Sequence, residues 1–285
     1  MNPLGIAFGL LSAATWGAAD FAAGLVTRRL GAFVTVALTQ TVGLAGAVSL
    51  VVATGEPMPV SSALAWAIGA GAVGLLGASA FYRLLADGRM SLGSPIVAVI
   101  GAGLPVLVAF LLGERLPPSD VFGIVLGLLA VVLVSIPARS ATSHDGHLDR
   151  RLLLLAGLAG TGIACFYLFV DRAAADGAGP WWILAAARGM TVGLVMIGLL
   201  AARPGWPDVR GSVAIIIAIG LGDLMGNAFF VLANAQGALS VAVVLSSLYP
   251  VTTILLARII LHERLRGGQL VGVAAALAGV VLIAI

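Results

Sequence analysis

Apolar residues run along this chain in blocks of about twenty, each closed by a short polar or turn-forming break. The blocks cover roughly 4–26, 32–53, 62–86, 90–112, 118–137, 151–172, 180–201, 211–234, 239–261 and 267–285. An α-helix rises 1.5 Å per residue, so about 20 apolar residues cross the hydrocarbon core of a bilayer. The breaks carry residues that helices tolerate poorly or place at water: Arg28-Arg29, Gly55 to Pro59, Asp87-Gly88-Arg89, Pro117-Pro118, Arg203 to Pro207 and Arg266-Gly267-Gly268. The pattern predicts an all-α membrane protein with ten transmembrane helices.

The pattern also occurs twice. Glu114-Arg115-Leu116 before the fifth block returns as Glu263-Arg264-Leu265 before the tenth, an offset of 149 residues. At that offset Gly123 meets Gly272, Leu128 meets Leu277, and Val131-Val132-Leu133 meets Val280-Val281-Leu282. Upstream, Gly88 and Ser91 fall on Gly237 and Ser240, and Phe81 falls on Phe230. We therefore expect two repeats, 1–137 and 151–285, joined by the polar linker 138–150. Five spans per repeat return the chain to the opposite side of the membrane. The halves are then inverted relative to each other, around a central cavity.

Composition excludes a soluble domain. Of 285 residues 61% are hydrophobic and 9% charged, against about 25% charged in water-soluble proteins. All 15 basic residues are arginine, and they sit mainly at block ends. No cluster is dense enough for nucleic acid. With ten spans, Arg28, Arg29, Arg83, Arg89, Arg139, Arg150, Arg151, Arg203, Arg210, Arg264 and Arg266 share one face, and Arg115 and Arg172 the other. Positive-inside logic makes the rich face cytoplasmic, with both termini periplasmic in a bacterial inner membrane. The first block lacks a basic leader and reads as a true span, not a cleaved signal peptide. The lone Cys165 excludes an intramolecular disulfide. Small-residue pairs such as Gly5/Gly9, Gly123/Gly127, Gly189/Gly193 and Gly222/Gly226 suit close helix packing.

Several elements in this order resemble a known family. They are Trp16-Gly17 in the first span, Gly88-x-x-Ser91 leading into the fourth, and Gly113-Glu114-Arg115-Leu116 with its copy His262-Glu263-Arg264-Leu265. Arg188 in the seventh span, with Gln40 near the equivalent place in the first half, completes the set. Taken together they are similar to the EamA domain of the drug/metabolite transporter superfamily, doubled over nearly the whole chain. The resemblance implies an exporter of metabolites, amino acids foremost, with sugars, nucleotide-sugars or drugs as the alternative cargo. It implies a cavity lined by the first, third, fourth, sixth, eighth and ninth helices. We expect no cofactor or metal, and action as a monomer, since one duplicated chain already carries both halves of the pseudo-symmetric pair. Many members carry a basic loop between the second and third spans; here that loop, Thr54-Gly55-Glu56-Pro57, has no positive charge.

Charges within spans are costly, about 2.5–3.5 kcal/mol each at a helix centre, and are functional candidates for that reason. Asp20, Arg188 and Asp223 qualify. An aspartate there suits a proton or a cationic group, and Arg188 suits a carboxylate; an internal ion pair is the structural alternative. Asn227 follows Asp223 by one turn and shares its face. Gln40, Asn234, Ser246 and Ser247 add neutral polar groups. Trp16, Tyr82, Phe166, Tyr167 and Tyr249 offer aromatic contacts for an amphipathic solute. Pro95, Pro105 and Pro250 can kink their helices and act as hinges or gates. Glu114 and Glu263 read as end charges in helix-capping or topological roles. Two rival readings remain. Gly220-Leu221-Gly222-Asp223 spells the GxGD pattern of intramembrane aspartyl proteases, and a passive channel would need a filter that the chain does not display.

Overall fold

The computed structural model describes residues 2–87, 90–136, 150–202, 207–262 and 265–285, without the side chains of 82, 85, 86, 90–92 and 202. Among the described residues, ten helical segments are long and apolar enough to span a bilayer. They are α1 (Pro3–Leu30), α2 (Ala32–Thr54), α3 (Ser61–Ala86), α4 (Met90–Leu111), α5 (Pro118–Ser135), α6 (Arg150–Ala175), α7 (Pro180–Ala202), α8 (Val213–Ala235), a ninth span made of α9 (Leu239–Ser246) and α10 (Tyr249–Ile260), and α11 (Gly267–Ala284). The helix ends follow local chemistry. Asn2 accepts from the Gly5 amide at 2.8 Å to open α1, and Gly31 and Gly55 adopt positive φ where α1 gives way to α2 and α2 ends.

The packing is that of two inverted repeats. α3 packs on α6 and, by the same relation in the other half, α8 packs on α1. These two pairs form facing walls. α2 and α7 meet at one end of the space between them, and α4 and α9 meet at the other, with α5 on α11 beyond. Small residues permit the close approaches. A Cβ on Gly77 of α3 would stand 2.9 Å from the Gly162 Cα of α6. Gly123 and Gly127 pack on Gly279 and Val244, whereas Gly189 and Gly193 face open space.

Proline behaves differently in the two halves. α4 runs unbroken through Pro95 and Pro105. Its counterpart breaks at Ser247-Leu248, just before Pro250, where the Leu248 amide turns back to Leu245. Pro250 supplies no N–H to continue the ladder. The described arginines gather as their positions along the helices dictate. Arg28, Arg29, Arg83, Arg150, Arg151, Arg210, Arg258 and Arg266 lie at one face, and Arg115 and Arg172 at the other.

Candidate functional site: a blind cavity ending on an Arg–Asp pair

In the first half of α7 the Arg188 guanidinium meets side chains from α2 and α8. Nη2 donates to Asp223 Oδ2 at 2.9 Å, and Nη1 donates to Gln40 Oε1 at 2.7 Å. The Gln40 amide nitrogen in turn donates to Asp223 Oδ2 at 3.2 Å. Asn227, one turn on, donates to the Asp223 main-chain carbonyl at 2.7 Å and to Oδ1 at 3.3 Å. A buried charge needs this kind of partnering, because its hydration has been surrendered. Exposure divides the pair: the Arg188 side chain is 6% accessible and the Asp223 side chain 30%. Arginine is the anchored partner, and aspartate presents the polar surface. Room for the guanidinium comes from Gly43, where a Cβ would lie 2.6 Å from Nη1.

Asp223 and Asn227 face a cavity of about 550 Å³ bounded by α2, α3, α6, α7 and α8. Its lining runs from the Arg188–Asp223 cluster at mid-span toward the arginine-rich face, through Val36, Leu75, Ala78 and Val195 to Phe33, Ser79 and Arg83. The walls are apolar and the inner end is polar. Thr191 lines it too, tied to the Gly71 carbonyl at 3.2 Å.

Aromatic rings partition the centre of the molecule. The Trp16 ring lies 6.3 Å from each of Tyr167, Phe230 and Tyr249, and Tyr167 lies 4.8 Å from Phe230. Trp16 rests on Gly226, where no side chain fits beneath it. A second cavity of about 110 Å³ lies on the α4–α10 side of this partition, with Ser94, Tyr167, Ser247, Tyr249 and Pro250 among its lining. Tyr167 and Ser247 face each other across it.

The residues singled out from sequence thus fall in distinct places. Phe166, Arg188, Asp223 and Asn227 line the larger cavity, and Tyr167, Tyr249 and Pro250 the smaller. Trp16 stands between Tyr167 and Tyr249. Asp20, one turn beyond Trp16, is exposed and close enough to Asp223 and Tyr167 to interact with both electrostatically. Ser246 is fully buried in α9, and its hydroxyl has no hydrogen-bond partner among the described residues. The Tyr82 side chain and Glu263 lie outside the described residues. Of the expected lining, α3, α6 and α8 border the larger cavity, where α2 and α7 join them, while α4 and the ninth span border the smaller one and α1 lines neither. The crossing of α2 and α7 at the central axis brings Gln40 and Arg188 inward. The GxGD aspartate is engaged by Arg188, Gln40 and Asn227.

Two contacts on the face away from the arginines were not anticipated. Glu56, between α2 and α3, accepts from the Trp182 amide at 2.9 Å and the Trp181 amide at 3.5 Å, and its carbonyl accepts from the Trp182 indole at 3.0 Å. Glu114 reaches the N-terminus of α9, accepting from the Ser240 hydroxyl and from the Ser240 amide at 3.4 Å. The capping role read for Glu114 thus acts on a helix of the other repeat. The only sequence signal for that partner was the recurrence of glycine and serine at 237 and 240.

An inverted pair of five-helix bundles enclosing a polar-ended cavity at mid-span defines a membrane transporter of the internal-repeat class. The comparison with known families gives the narrower assignment. The EamA-like transporter family matches twice, over residues 3–136 and 150–285, and the chain belongs to that family. No curated protein matches the sequence. Among solved structures 28 chains match. One, described only as the crystal structure of a protein, aligns with TM-score 0.75 at 22% identity over 99% of this chain and 96% of its own. At that identity the likeness concerns the fold.

Proposed function

We propose that the chain exports small amphipathic metabolites, amino acids foremost, across a bacterial inner membrane by alternating access, and that it works as a monomer. The observation that carries this reading is the larger cavity itself. Its volume of about 550 Å³ falls within the roughly 300–1,000 Å³ of small-molecule sites. Its inner end offers the accessible carboxylate of Asp223 with the Asn227 amide, suited to an ammonium group, and Arg83 at its mouth offers a positive charge that attracts a carboxylate on entry. The apolar walls fit an apolar side chain. Asp20 makes no hydrogen bond among the described residues, which leaves its carboxylate for a proton or a cationic group. The arginine-rich face at the cavity mouth supports a cytoplasmic mouth, where cargo for export would enter. Both repeats are present in one chain, which supports a self-sufficient monomer.

The test is a flux screen on purified protein in proteoliposomes with amino acids, sugars and cationic drugs. At least one amino acid should move, with flux depending on the proton gradient and lost in Asp223→Asn. Flux confined to sugars or nucleotide-sugars would overturn the amino-acid assignment. Flux indifferent to any gradient, at channel-like rates, would overturn coupled transport.

A further inference from the structure

We propose that the Glu114–Ser240 contact, together with the contact of Glu56 with the start of α7, is the seal that keeps the cavity closed at the face opposite the arginines. The proposal rests on the alternating-access reading and assigns its residues on that face. Three observations converge. Each carboxylate sits on a loop of the first repeat and grips the first turn of a helix in the second, Glu56 on α7 and Glu114 on α9. Free amides at a helix start carry partial positive charge, so a carboxylate there is held by charge as well as by hydrogen bonds. The larger cavity extends from mid-span to the arginine-rich face, and toward the Glu56 side Leu184 on its wall is buried. Finally, the gripped elements border the cavity system. α7 carries Arg188, and α9 leads into the break at Ser247-Leu248 beside the smaller cavity.

Opening to this face requires the two repeats to separate there, which exchanges these contacts for water. The contacts are therefore strong enough to bias the resting state and weak enough to yield. The same argument explains why the duplication repeats both residue types, as Ser91 and Glu263. Their side chains lie outside the described residues.

The test reads accessibility, not flux. In a Cys165→Ala background, Leu184→Cys places one thiol on the buried cavity wall near the Glu56 face. Membrane-impermeant maleimide is applied separately to vesicles of each orientation. Glu114→Ala and Glu56→Gln should each raise labelling from the Glu56 side by roughly ten- to a hundredfold, the equivalent of losing one charged hydrogen bond. Ser240→Ala, which keeps the main-chain amide, should raise it less. Melting in detergent is measured on every variant, and Glu114→Asp serves if the alanine variant does not fold. Labelling unchanged in both Glu114 and Glu56 variants overturns the seal, even if melting falls. Labelling that shifts in a protein moving no solute leaves the seal standing and overturns transport.

Discussion

Arg188 and Asp223 face one another from α7 and α8 at 2.9 Å, with the guanidinium buried and the carboxylate reaching the cavity. Removing one partner is not the reverse of removing both. Asp223→Asn leaves a buried cation without its counter-charge, at a cost of about 3–5 kcal/mol, whereas an apolar pair of similar volume is often neutral. We expect Asp223→Asn to lower the melting temperature sharply and Arg188→Met/Asp223→Leu to recover most of it. Neither should bind solute. Recovery of binding in the double variant would show that the pair serves only to hold the helices.

Gly43 makes a separable prediction. Alanine in a helix is ordinarily favoured over glycine by about 1 kcal/mol, but here the new Cβ would lie 2.6 Å from Arg188 Nη1. The guanidinium must shift, and its bonds to Gln40 and Asp223 lengthen. Gly43→Ala should remain folded and lose roughly tenfold or more in solute affinity, since charged hydrogen bonds are each worth about 1.5–3 kcal/mol. Isothermal titration beside a melting curve checks both halves of the statement.

Trp16 holds the aromatic partition by touching Tyr167, Phe230 and Tyr249 at once. Trp16→Ala should destabilise the protein by about 3–5 kcal/mol through the void it leaves. Trp16→Phe should regain most of that stability. Solute binding weakened in both variants would mark the indole as a contact, while binding restored with stability would mark it as packing alone.

Pro250 offers a test of the broken span. Pro250→Ala supplies an N–H that can reach the Ser246 carbonyl and join α9 to α10. We expect an equally or more stable protein with slower transport, measured as initial flux against melting temperature. Unchanged flux would remove the hinge role.

The ten spans and their division into two inverted units were legible because hydropathy and the 149-residue offset report directly on membrane crossing and duplication. Arg188 and Asp223 stood out for the same reason, as charges where hydrocarbon forbids them. What stayed hidden was which faces turn inward. α2 and α7 are apolar on all sides, so no periodicity marked Gln40 or Gly43 as facing the axis. The partners of Glu56 and Glu114 stayed hidden because they include main-chain amides far along the chain, and amides leave no trace in a sequence. Pro250 announced a kink, but nothing distinguished it from Pro95 and Pro105, which α4 absorbs without breaking.

The 2.7 Å bond between Gln40 and Arg188 has one more implication. The two residues lie one position from equivalence in the repeats and meet where α2 crosses α7. Two identical five-helix chains assembled in this way would carry an arginine on each helix near that crossing, like charges in a medium too poor in water to screen them. The observed pairing needs an amide in one repeat and a cation in the other. Two copies of the second half could not rebuild this site, because its chemistry depends on the halves having stopped being the same.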